Sequence, residues 1–132
     1  MLNPFPDLLT YSFFAPTIVR MAAALIFFHL AYYHSQNKNS LAIISFPIVG
    51  SGVWIVLLMA SAEAIVGAGL FFGYVIQISA AVGAAIALKY FVLHTKFPQF
   101  FVLSRATTLL LFAMCVSLAL SGAGAVAFDL PL

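Results

Sequence analysis

Glu63 lies near the middle of a long apolar run, residues 51–72. A carboxylate at that depth in lipid is expensive unless it is paired, protonated or reached by water. The chemistry open to it is narrow: holding a proton, accepting a hydrogen bond from the polar head of an apolar ligand, or pairing with a cation to fix helix packing. The best cation in the sequence is Arg20, five residues into the preceding apolar run. Counted from the same membrane face at 1.5 Å per residue, Arg20 lies about 8 Å deep and Glu63 about 14 Å. An arginine side chain spans such a gap, and its planar fork matches a carboxylate. The competing arrangement has Arg20 extending outward to headgroups. Asp129, just beyond the last apolar run, is on the same face, and Gln77 is near it. Both are therefore candidates to join Arg20 and Glu63 in one polar cluster.

The histidines read differently. His29 is nine residues from Arg20. At 100° per residue the two project from opposite sides of one helix. His29 is expected to hydrogen-bond a neighbouring helix, and His34 and His94 to sit at an interface. His29 and His34 are about 140° apart around the axis, which is wrong for a shared metal or haem. No metal site is expected. The single cysteine, Cys115, allows no internal disulfide or redox couple and is expected to fill the core. Lys89 is expected to extend toward the membrane surface, and Trp54 to anchor there.

These residues need a frame, and the composition defines it. Of the 132 residues 65% are hydrophobic and only 6% are charged. A soluble domain carries about 25% charged residues, so a water-facing globule is excluded. The net charge is +2 with no basic run, which removes nucleic acid as a partner. The expected partner is the lipid bilayer. The fold class is all-α: an integral membrane four-helix bundle of up-down topology in one domain, residues 1–132, with a short interfacial N-terminal segment. The spans are expected at about 15–34, 51–72, 75–93 and 105–126, each near the 20 apolar residues a crossing needs. Continuous apolar runs favour helices over the alternating pattern of a barrel strand.

Lys38, Lys89, Lys96 and Arg105 flank the first and third loops, while the opposite face has only Arg20 against Asp7 and Asp129. The positive-inside rule places those loops in the cytoplasm and both termini outside. No basic region precedes the first apolar run, which reads as a retained span. Small residues recur at spacing four: Ala60, Ala64 and Ala68; Ser79, Gly83 and Ala87; Ala113, Ser117 and Ser121. Such stripes let helices approach closely in lipid.

Three segments in order carry a resemblance to the DoxX family of small bacterial membrane proteins. They are Arg20-Met-Ala-Ala-Ala-Leu-Ile-Phe-Phe-His29, then Glu63-Ala-Ile-Val-Gly67-Ala-Gly69-Leu-Phe-Phe-Gly73, then Leu120-Ser-Gly122-Ala-Gly124-Ala-Val-Ala-Phe-Asp129. The sequence departs from the family pattern at Leu30, Ala123 and Ala127, and at the uncharged stretch from Tyr74 to Ile78. The resemblance implies a four-helix bundle in the bacterial inner membrane. It also implies association with quinone-linked or stress-related membrane oxidoreductases.

The chain is not expected to be an enzyme by itself. The leading expectation is a non-catalytic or accessory subunit of a membrane redox system, binding a quinone- or lipid-like ligand near Glu63 and Arg20, with quinone the one cofactor in view. A structural scaffold subunit is the next reading. A small proton-coupled transporter is the third, and it would require a homo-oligomer.

Overall fold

The computed structural model describes residues 11–12, 14–44, 50–98, 100–122 and 124. Its helices are α1 (Ala15–Gln36), α2 (Lys38–Leu41), α3 (Val53–Phe72), α4 (Ile76–Leu93) and α5 (Arg105–Ser121). Helices α1, α3 and α4 are long and apolar enough to cross a membrane. Helix α5 has 17 residues and is about 25 Å long, short of the ~30 Å hydrocarbon layer. It stops earlier than the expected span because Gly122, with φ 80°, takes a conformation that ends the helix.

Local chemistry sets the other boundaries. Pro16 lies in the first turn of α1, where a missing N–H is harmless. At the other end, the backbone N–H of Asn37 and its side-chain amide both donate to the Tyr33 carbonyl, at 3.0 and 3.1 Å. The polar stretch expected as a loop then makes one further helical turn, α2. Helix α3 ends at Gly73, left-handed at φ 69°, and Tyr74 N–H donates back to Gly69 at 3.1 Å, closing a Schellman turn. Ser104 caps α5 by accepting from Thr107 N–H at 3.2 Å. The turn into α4 places Val75 at φ 45°, a left-handed conformation that a β-branched residue rarely takes.

Each long helix buries a seam spaced alternately by three and four residues. The seams are Arg20, Ala24, Phe27, Ala31 and His34 on α1; Val56, Ala60, Glu63, Gly67 and Leu70 on α3; Ile76, Ala80, Gly83, Ala87 and Tyr90 on α4; and Thr108, Leu111, Cys115 and Leu118 on α5. This spacing keeps one face turned toward the neighbours, as in coiled coils. Helix α1 packs mainly on α3 and α4 mainly on α5, with smaller α1–α5 and α3–α4 contacts.

Small residues permit the closest approaches. A Cβ on Gly67 would meet the Phe28 ring at 3.1 Å, and one on Gly83 would meet Cys115 Sγ at 3.1 Å and the Phe27 ring at 3.2 Å. The expected stripe on α4 is partly right, because Gly83 and Ala87 are buried. The stripe expected on α5 is not, since Ala113, Ser117 and Ser121 are exposed and the larger Leu111, Cys115 and Leu118 face inward. Packing there is side chain against side chain, with Cys115 in the core as expected.

Two substitutions test this account. Gly83→Val is expected to lower unfolding stability in detergent by about 1–3 kcal/mol, through overpacking against Phe27 and Cys115. Val75→Gly is expected to raise it by about 1 kcal/mol, by removing the left-handed penalty. Thermal or chemical unfolding followed by circular dichroism checks both.

Candidate functional site

Glu63 is fully buried, as are His34 and Tyr90. The three meet because each occupies a seam position on a different helix. His34 Nδ1 is 2.8 Å from Glu63 Oε2, and the Tyr90 hydroxyl donates to Glu63 Oε1. Both carboxylate oxygens therefore have a partner, and α1, α3 and α4 are joined through one side chain. With Nδ1–H directed at Glu63, the second ring nitrogen of His34, Nε2, is buried and has no hydrogen-bond partner among the described residues.

The loop between α4 and α5 covers this trio. Phe100 stacks on the His34 ring at 4.9 Å between centroids, and Phe101 packs against Tyr90 at 4.8 Å. Phe100 and Phe101 meet each other edge to face at 5.2 Å. Aromatic pairs at such separations add to the burial of their surfaces. They also keep water from the carboxylate, which strengthens its hydrogen bonds.

On another side the site borders a cleft between α3 and α4 with a volume of about 250 Å³. Leu58, Met59, Ala62 and Ile86 form apolar walls, with Glu63 and Tyr90 at the polar end and Lys89 beside them. The Lys89 ammonium lies 5.4 Å from the centre of the Tyr90 ring, a cation–π distance. Leu58 and Lys89 are exposed, so the cleft opens on the outer face of the helix pair. Apolar walls with a few convergent polar groups are the usual make-up of a small-molecule site.

The expected Arg20–Glu63 pair does not form. His34 is Glu63's hydrogen-bonding partner from α1, and Arg20 is about 21 Å from His34 along that helix. The two depths match only if the ends of α1 and α3 are flush. The contacts of Glu63 with His34 and of Gly67 with Phe27 and Phe28 set a different register, which carries Arg20 past the end of α3. Arg20 is nevertheless buried, 2% exposed, and does not extend outward. His29 is exposed and makes no hydrogen bond among the described residues, so the expected bond to a neighbouring helix is absent. Its angular position places it off the buried seam. Gln77 is exposed in the first turn of α4, about 20 Å from Tyr90, and does not join Glu63. Asp129 lies outside the described residues.

His34 was expected at an interface and is instead in the core. Tyr90 was not anticipated. The signal for both was the three-and-four spacing, which places His34 one heptad after Phe27 and Tyr90 one heptad after Gly83. His94 is half-buried and stacks on Phe101. Among the described residues no group of three side chains could hold a metal ion. No family model, curated protein or solved structure matches the chain.

A double-mutant cycle separates the observed partner from the expected one. Glu63→Leu and His34→Leu should each destabilise by about 3–5 kcal/mol, because each strands a buried polar group. Together they should cost far less than the sum. Arg20→Leu combined with Glu63→Leu should be additive within about 0.5 kcal/mol. Denaturant unfolding in detergent reads wild type, the three single variants and the two double variants.

Proposed function

We propose that this protein is a multi-pass membrane protein that holds an amphiphilic, quinone- or lipid-like ligand in the cleft between α3 and α4. The ligand's polar end lies against Glu63 and Tyr90. The single observation carrying this reading is that an apolar cleft, open on the outer face, ends at the buried carboxylate and its hydrogen-bonding partners. A ligand from the bilayer would enter sideways with its apolar part on Leu58, Met59 and Ile86. Its carbonyl or hydroxyl would meet groups already oriented by His34. Glu63 and His34 could then give or take a proton as the ligand changes its own protonation.

In this reading α1, α3, α4 and α5 cross the membrane as an up-down bundle, with the α4–α5 loop cytoplasmic and the membrane bacterial. The protein serves as a non-catalytic subunit beside a membrane oxidoreductase, in the manner of DoxX-like proteins. Burial of both Arg20 and Glu63, two of the charged residues that carry that resemblance, supports it.

A second reading is favoured by a specific observation. Glu63 already has a partner on each oxygen and ties three helices together, as a purely structural clamp would. The two readings differ in what accompanies the protein out of the membrane. Extraction with native lipid into nanodiscs, followed by mass spectrometry of small molecules, is expected to find a quinone- or lipid-like amphiphile enriched over its share of the bulk membrane. Glu63→Gln and Tyr90→Phe are expected to lose about tenfold of it while remaining folded. A wild-type particle whose small-molecule content matches the bulk membrane would leave only the clamp.

A further inference from the structure

The cleft also has features that select among amphiphiles, and they centre on Lys89. Its volume of about 250 Å³ is below the ~300–1,000 Å³ of pockets that enclose a whole drug-sized ligand. It therefore takes a single chain or ring, with the remainder of the molecule outside along the helix pair. Lys89 is four residues from the end of α4, about 6 Å below that end. This is the depth at which a lysine reaches lipid headgroups. Its ammonium is drawn across the Tyr90 ring, beside the cleft and not away from it. Trp54, 85% exposed in the first turn of α3, marks the same end as an interface.

The charge balance at this end is one-sided. Lys38, Lys96 and Arg105 lie at or beyond the helix ends here. Glu63 is the only acidic side chain among the described residues, and His34 and Tyr90 occupy its oxygens. Basic pockets between spanning helices suit acidic lipid headgroups.

We infer that the α3–α4 cleft is a site for one acidic membrane phospholipid, with an acyl chain against Leu58, Met59 and Ile86 and its anionic headgroup on Lys89. The inference rests on the reading that an amphiphile occupies this cleft, and it names the class. The acidic headgroup is what distinguishes this occupant from the neutral lipids around it.

The test reconstitutes the full chain in vesicles of phosphatidylglycerol and phosphatidylcholine in equal parts, then measures tightly retained lipid by native mass spectrometry. Wild type is expected to retain phosphatidylglycerol over phosphatidylcholine at about 5:1 against the even bulk ratio, the selectivity that one lysine near a membrane surface supplies. Lys89→Gln should abolish the enrichment. Lys89→Arg and Lys96→Gln should keep it. Retention at the bulk ratio in wild type, or undiminished enrichment in Lys89→Gln, would overturn the assignment, the latter making Lys89 a second counter-charge for Glu63. Glu63→Gln separates the two proposals: its loss of the amphiphile carried out of the native membrane supports occupancy of the cleft, whereas phosphatidylglycerol held at the bulk ratio by a wild type that does carry that amphiphile removes only the acidic headgroup.

Discussion

Burying one carboxylate among apolar helices constrains everything around it. Glu63 cannot face lipid without a large penalty, and it cannot sit in the core without donors. The structure meets both conditions by placing His34 and Tyr90 on the facing seams of two other helices. That requirement fixes the axial register of α1 and α4 against α3 far more tightly than leucines or alanines would. Apolar side chains tolerate a slip of one turn. A hydrogen-bonded acid does not, because a slip strands three polar groups at once. The same interaction explains why the aromatic residues of the α4–α5 loop are buried although they belong to no helix. Phe100 and Phe101 close a side of the trio that the helices leave uncovered, opposite in character to the open cleft between α3 and α4.

Much of the architecture was legible in the sequence, for a simple reason. The apolar runs are long and the polar residues are few, so helix positions follow from composition and from Pro, Gly and Asn punctuation. The expected limits of α1, α3 and α4 differ from those observed by two residues or fewer. The end of α5 was missed because the residues around Gly122 are as apolar as the helix itself. Hydropathy does not register a glycine leaving helical geometry.

The site was legible only in part. Glu63 stood out because its cost is independent of its neighbours. Its partners did not, because pairing depends on how helices slide past each other, and hydropathy contains no axial register. Depths counted from flush ends put Arg20 beside Glu63. The observed contacts, Gly67 against Phe27 among them, put His34 there instead. The information was present in another form. Arg20, Phe27 and His34 recur at intervals of seven, as do Val56, Glu63 and Leu70 on α3 and Ile76, Gly83 and Tyr90 on α4. Reading the seams first, and asking which polar side chains fall on them, selects His34 and Tyr90 and rejects His29 and Gln77.

The covering of the trio by Phe100 and Phe101 has a kinetic consequence. The ring of His34 is sealed on one side by a stacked phenyl group, whereas Glu63 borders a cleft open on the outer face of the helix pair. Hydrogen ions passing between bulk water and this acid must then wait for the aromatic loop to lift, or enter by the cleft. Isotope exchange at the buried imidazole would accordingly require an opening of the structure around it.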